Sequence, residues 1–367
     1  MDIEIRSIDN IKGKGLFAKK DFNAGSVIFE EDPIVCCQFS WNAAYGYKAC
    51  DHCLRPLESA EENARRLTAK PELHLPYSNL CRTDKSLITS CSLCDIQYCS
   101  TKCQTAAYNQ YHRTLCFERK SDLEDHPLYQ LNEMWKQMHY PPETSTIMII
   151  PRILATIQQA VNPEEAQAQF LQFCHRTVND DSKIAHKFLG DKFVDQISTL
   201  HNLLVQAMNP DRISHFLTQE GFQTLIALIG TNGLQQQLSP EEAVKLDKFI
   251  DKLYEDMDKH SGTFLNNEGV ALYSLQSSCN HSCIPNAETT YLHNNSRLSL
   301  VALTDIKAGD EISTSYLDEC TLQRSRYSRN KELTQNYLFA CTCPKCELQA
   351  HDPDVTSDED DSEEMSE

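Results

Sequence analysis

The chain has 367 residues, enough for roughly two or three domains with a sizeable core, and no run of about 18 apolar residues that would span a membrane. Its formal charge of −19 argues against tight binding to bare nucleic acid, where a basic footprint is expected, and permits a basic protein partner. The opening MDIEIRSIDN is charged and has no apolar signal core, so secretion is not expected; the default compartment is the cytoplasm, with the nucleus second. Without secretion, the seventeen cysteines are better explained by thiolate metal ligands than by a disulfide framework.

Residues 2–39 carry short strand-like pieces, IEIRSI, GLFAKK and SVIFEEDPIVCCQF, broken by Gly and Asp. GKGLF places two glycines where a strand turns. A dense block follows: Cys50-x2-Cys53, Cys91-x2-Cys94, Cys99-x3-Cys103 and His112-x3-Cys116. Two thiolates on one tight turn reach one ion without strain. Seven cysteines and one histidine therefore suffice for two tetrahedral zinc sites. Pairs one and three are expected to share one ion, pairs two and four the other. Such interleaving braces a segment too small for its own core, so folding and metal binding are coupled. Cys81 matches no pair and reads as an ordinary thiol. Within the 37 residues between Cys53 and Cys91, ESAEENARRLTAK reads as a charged, exposed helix.

Residues 120–260 read mostly helical. SPEEAVKLDKFIDKLYEDM has Ser239 as N-cap, Pro240 at the first helical position and Glu242 completing a capping box. Its stripe of Ala243, Leu246, Ile250, Leu253 and Met257 is core. Residues 270–316 turn strand-like again in VALYSL, AETTYL, LSLVALTDI and DEISTSYL. In this region CNHSCIPN packs two cysteines, a histidine and two asparagines into eight residues, open to reading as a metal site, a nucleophile or a binding loop. FACTCPKC then gives Cys341-x-Cys343-x2-Cys346. Three cysteines leave a tetrahedral zinc one ligand short. Cys283 is a candidate fourth; an open position would suggest a catalytic zinc with water. No general acid/base partner is evident nearby, which favours the closed structural site. Nine acidic residues and no Lys or Arg lie between Asp352 and Glu367, so this tail is expected to be disordered. It serves as a solubilising tail or as a lure for basic substrates.

CSLCDIQYCSTKC followed by YHRTLC resembles the second half of the MYND zinc finger. KGKGLFA, NHSCIPN, GDEISTSYLD and YLFACTCPKC occur in the order of the SET-domain lysine methyltransferases. A MYND finger splitting a SET domain is the mark of the SET and MYND domain family, which the chain resembles over nearly its whole length; ACDHCL, HYPPET and GTNG add to the likeness. The resemblance implies an α+β class: a β-rich SET fold with a pseudoknot, interrupted by a MYND zinc finger and a mostly helical insert, ending in a zinc-binding post-SET segment. The implied order is the N-terminal part of SET at 1–49, the finger with its insertion at 50–116, a helical linker and insert at 117–265, core SET at 266–319, post-SET at 320–349 and the acidic tail at 350–367. A helical C-terminal domain of other members is missing, which suggests a more open substrate groove.

The activity implied is transfer of a methyl group from S-adenosylmethionine to a protein lysine. A free lysine has a pKa near ~10.4, so the site must desolvate the ammonium and favour loss of its proton. It must also align amine, methyl and sulfur. The resemblance makes Tyr316 the catalytic tyrosine beside the methyl. It places Lys14, Gly15, Leu16, Asn232, Asn280, His281, Tyr316 and Phe339 at the cofactor, and Tyr273, Tyr337 and Phe339 along the lysine channel. It assigns Cys283, Cys341, Cys343 and Cys346 to a third zinc, and leaves Cys279 as a small buried residue before the motif. The expected substrate is a histone tail or a ribosomal protein lysine, and a peptide partner is expected at the MYND finger. The chain is expected to be a monomer, with no membrane and no direct nucleic-acid contact. A non-catalytic, zinc-braced adaptor with a degenerate SET core is the alternative. A RING-type ubiquitin ligase also carries two interleaved zincs, but the QYCSTKC spacing speaks against it.

Overall fold

The computed structural model describes residues 1–8, 13–75, 83–116, 123–139, 145–173, 193–232, 234–237, 267–337 and 339–353. The helix expected at 239–257, Cys81, Gly233 of GTNG, most of HYPPET and the acidic tail beyond 353 lie outside these residues. In chain order the strands are β1 (Ile3–Ser7), β2 (Lys14–Ala18), β3 (Val27–Glu31), β4 (Val35–Gln38), β5 (Thr89–Ser90), β6 (Gln97–Tyr98), β7 (Leu234–Gln237), β8 (Glu268–Leu272), β9 (Asn280–His281), β10 (Ala287–Thr290), β11 (Leu298–Ala302) and β12 (Glu311–Thr314). No helix among the described residues is long and apolar enough to cross a membrane.

Two compact units emerge. The first comprises the described residues of Met1–Asp32, Tyr273–Thr290 and Leu298–Glu367. It holds two sheets, ordered β1-β2-β12-β9 and β10-β11-β3. β1 and β2 pair antiparallel, with Ile5 opposite Leu16. Gly13 has a φ of +70°, which lets the chain turn into β2. β9 is only two residues long, yet it runs parallel to β12, with Asn280 opposite Ser313 and His281 opposite Thr314. A two-residue parallel pair is weak by itself. Asn286 reinforces it: its amide donates to the Glu311 carbonyl at 2.8 Å and accepts from the Ser313 N–H at 2.8 Å. The CNHSCIPN loop is thereby pinned across β12, in keeping with the SET-type pseudoknot.

The second unit comprises Pro33–Leu272, where described, and Tyr291–Arg297. Its sheet is β4-β8-β7, and every residue of β8 is buried, as for a strand covered on both faces. The helix Ile149–Gln159 buries eight of its first nine residues and packs with Leu131, Leu200, Leu204 and Phe222 into one apolar cluster. The helix Ala60–Leu67 forms where the charged stretch predicted it, with a complete capping box between Ser59 and Glu62. It is not fully exposed, however. Ala64 and Leu67 are buried, and Arg66 lies over the Tyr47 ring at 4.5 Å while pairing with Glu58. The long aliphatic stems and two apolar residues give this polar sequence a packed face.

Candidate active site and metal centres

Three groups of four ligands come together: Cys50, Cys53, Cys99 and Cys103; Cys91, Cys94, His112 and Cys116; and Cys283, Cys341, Cys343 and Cys346. Within each group all ligand atoms lie within 4.8 Å of one another. A tetrahedral zinc with bonds of ~2.3 Å to sulfur requires sulfurs about 3.8 Å apart. The structure has Cys53–Cys99 at 3.7 Å, Cys91–Cys116 at 3.7 Å, Cys283–Cys341 at 3.9 Å and Cys283–Cys346 at 3.6 Å. Cys94 Sγ to His112 Nε2 is 3.6 Å. These separations suit a central ion and far exceed a disulfide bond of ~2.05 Å. The two finger groups interleave as the spacing predicted. Cys103 and His112 share one helical path, nine residues or roughly two and a half turns apart, and so serve different groups.

The finger is tied to its unit by charge. Asp51, between Cys50 and Cys53, pairs with Arg152 Nη2 at 2.6 Å. Arg152 also donates to the Cys36 carbonyl at 2.8 Å and lies 4.4 Å over the Tyr111 ring. The Tyr111 hydroxyl donates to Asp51 Oδ2 at 2.9 Å. Burial of this network pushes the Tyr111 hydroxyl well above its ordinary range.

In the first unit, Tyr316 follows β12 and is fixed at two points. Its backbone N–H donates to His281 Nδ1 at 2.9 Å, and its hydroxyl donates to the Cys279 carbonyl at 2.7 Å. With its proton directed at Cys279, the tyrosine oxygen presents lone pairs to any other group. The ring lies 4.9 Å from Tyr337 and edge-on to Phe339 at 6.2 Å. His281 completes the cluster, 5.5 Å from Tyr316 and 6.1 Å from Phe339. All four rings are half-buried. Cys279 thus has more than a packing part: its thiol is buried and pushed up by that burial, while its carbonyl orients Tyr316.

The Asn280 amide donates to the Lys14 carbonyl at 3.0 Å and to Glu311 Oε1 at 2.7 Å. Gly15 leaves room for this packing, since a Cβ at this position would sit 2.5 Å from Ile8 Cδ1 and 3.1 Å from both Asn280 Nδ2 and Glu311 Oε1, and those side-chain ends would have to shift. Leu16 is buried beside it in β2. The structure therefore brings Lys14, Gly15, Leu16, Asn280, His281, Tyr316, Tyr337 and Phe339 into one unit. Tyr273 is buried at the start of the turn leading to Cys279, its carbonyl accepting from the Ser277 N–H at 3.3 Å. Asn232 lies in the other unit, at the end of the helix Gln219–Asn232, its amide donating to the Leu228 carbonyl at 3.0 Å.

Among the charged residues without a sequence signal are Glu31 and Arg329. Glu31 accepts from the backbone N–H groups of Leu275 and Gln276 at 2.9 and 3.1 Å, holding the turn that precedes Cys279; burial raises its carboxyl above the usual range. Arg329 is wholly buried and donates to Cys283 Sγ at 3.3 Å and Cys346 Sγ at 3.5 Å. Neither position has a sequence signal, because Glu and Arg are exposed by default. The Cys283 thiol is pushed well below its ordinary range, chiefly by its hydrogen bonding with Cys341, with His281 and Arg329 adding to it.

Residues 13–317 match the SET-domain family. The chain belongs to the SET-domain family. Among its relatives, protein-lysine N-trimethyltransferase SMYD5 of Gallus gallus is 50% identical over 376 aligned residues, covering 98% of this chain and 90% of the relative. SMYD5 of Homo sapiens is 48% identical over 374, with the same coverage. Histone-lysine N-methyltransferase SMYD3 of Mus musculus is more distant, at 26% over 359, covering 95% of this chain and 62% of the relative. The SET match runs from Gly13 to Leu317, so it ends just after Tyr316 and takes in Cys283 but not its three partners at 341–346. The finger cysteines fall inside it, as an interruption of the SET domain.

Proposed function

We propose that this SET-domain chain is an S-adenosylmethionine-dependent protein-lysine N-methyltransferase. The observation that carries the reading is Tyr316, clamped through its N–H and its hydroxyl inside a ring of His281, Tyr337 and Phe339. When bound, S-adenosylmethionine supplies an electrophilic methyl group on a sulfonium. The residues present suit a cation of that kind: aromatic faces are electron-rich, and the Tyr316 oxygen offers lone pairs. Asn280, His281 and the backbone of Lys14 and Gly15 are the residues that would hold the cofactor.

For the reaction, the rings exclude water from the lysine amine, which disfavours its ammonium form. Tyr316 and the nearby carbonyls give acceptors pre-aimed at the positive charge that develops, with no reorganisation in the transition state. Tyr337, whose hydroxyl donates to the Tyr316 carbonyl at 3.3 Å, and Phe339 line the approach of the lysine stem. The three cysteine cages would hold zinc as closed structural sites. With four protein ligands each, they offer no open position for a metal-bound water.

The relatives' names point to lysine in proteins, including histones, and a histone tail or ribosomal protein lysine is the substrate class proposed here. The test is incubation of a cell extract with the chain and isotopically labelled S-adenosylmethionine, followed by mass spectrometry of lysines. Label on lysine that disappears with Tyr316→Phe supports the reading. Cofactor binding without any transfer, or no binding at all, favours a zinc-braced adaptor.

A further inference from the structure

The sulfur of Cys283 receives two side-chain donors besides its cage neighbours. Arg329 Nε stands 3.3 Å away, and His281 Nε2 stands 3.4 Å away. The histidine geometry is self-consistent. The Tyr316 N–H can only donate, so His281 Nδ1 must accept there. The ring hydrogen then sits on Nε2, which donates to sulfur. One imidazole therefore spans the gap between a cage ligand and the backbone of the proposed catalytic tyrosine.

Arg329 answers a charge problem. Four thiolates around a dication leave a net charge of −2, and buried charge is costly unless compensated. Arg329 is fully buried and spends its donors there: Nε on Cys283, Nη2 on Cys346 at 3.5 Å and on Gln349 Oε1 at 2.8 Å, Nη1 on the Arg324 carbonyl at 2.6 Å. It also sits on the helix Arg326–Tyr337 that ends in Tyr337.

We infer that His281 and Arg329 are positioning residues that make the post-SET cage and Tyr316 one hydrogen-bonded unit: Arg329 stabilises the thiolates of Cys283 and Cys346, and His281 passes the position of Cys283 to the Tyr316 backbone. This rests on the methyl-transfer reading only for what Tyr316 does. The state of the cage is read separately.

The test uses the full chain and two readouts, zinc release into a chromogenic chelator and methyl transfer at saturating cofactor. Asn places an amide oxygen near the Nδ1 position, and Gln an amide nitrogen near Nε2. His281→Asn then keeps the acceptor for Tyr316 but drops the donor to Cys283; His281→Gln does the reverse. Outer-shell partners of a metal site typically change affinity ~10–100-fold. The post-SET ion should leave about tenfold faster in His281→Asn and in Arg329→Gln, and at the wild-type rate in His281→Gln, with the finger ions unchanged throughout. Turnover should fall about tenfold in His281→Gln and less in His281→Asn. Arg329→Lys, which keeps the charge without the fork, should fall between and serves if Arg329→Gln does not fold. Unchanged release in both His281→Asn and the Arg329 variants overturns the inference, as does an equal loss of turnover in the two His281 variants. A wild-type chain that transfers no methyl defeats the enzymatic reading and leaves the release arm intact.

Discussion

The finger cages and the post-SET cage are both built mainly from cysteines, with one histidine in the finger, but in opposite ways. The finger draws its eight ligands from one stretch, Cys50 to Cys116, and is anchored by the buried Arg152–Asp51–Tyr111 network. The post-SET cage joins Cys283 to cysteines 58 or more residues later, and its outer contacts run through His281 to Tyr316. The finger cages brace one segment, whereas the post-SET cage is linked to the loop that holds Tyr316.

The largest effects should come from removing a cage ligand. Cys283→Ala should lose one zinc of three, and Cys103→Ala one finger zinc, in metal analysis of the purified chains. Only the first should also lose methyl transfer; equal loss in both contradicts the division. Next in size, Arg152→Leu leaves Asp51 without its buried partner. Breaking such a pair costs about 3–5 kcal/mol, and thermal unfolding should register it in the unit that carries the finger. Gly15→Ala brings a Cβ against the side-chain ends of Ile8, Asn280 and Glu311. Because those ends can shift, the cost should fall near the low end of overpacking, about 1 kcal/mol, and weaker binding of S-adenosylmethionine by calorimetry should accompany it. Smallest, Ser59→Ala removes the helix cap of the insertion at about 1 kcal/mol. It should leave both the zinc content and transfer unchanged.

The finger was legible in the sequence because paired cysteines at short spacing have one dominant explanation. Their grouping followed from interleaving, and the strands around β2, β3, β11 and β12 fall in the strand-like pieces of 2–39 and 270–316. The post-SET cage was half legible: three cysteines announced a metal one ligand short and made the far-off Cys283 a candidate, but only the family resemblance turned that candidate into an assignment. Arg329 and Glu31 were not legible. A buried cation between two sulfurs, and a carboxylate capping a turn some 240 residues away, depend on three-dimensional proximity alone. The same holds for the helix Ala60–Leu67, whose charges masked its packed face, and for the carbonyl of Cys279, since a backbone acceptor leaves no trace in residue type.

We propose that the post-SET cage and the Tyr316 cluster form one functional unit for methyl transfer. Calorimetric titration with S-adenosylmethionine on the wild-type chain and on Cys283→Ala tests this coupling. The wild type should show one binding site and the variant none. Equal binding in both, or none in the wild type, contradicts it.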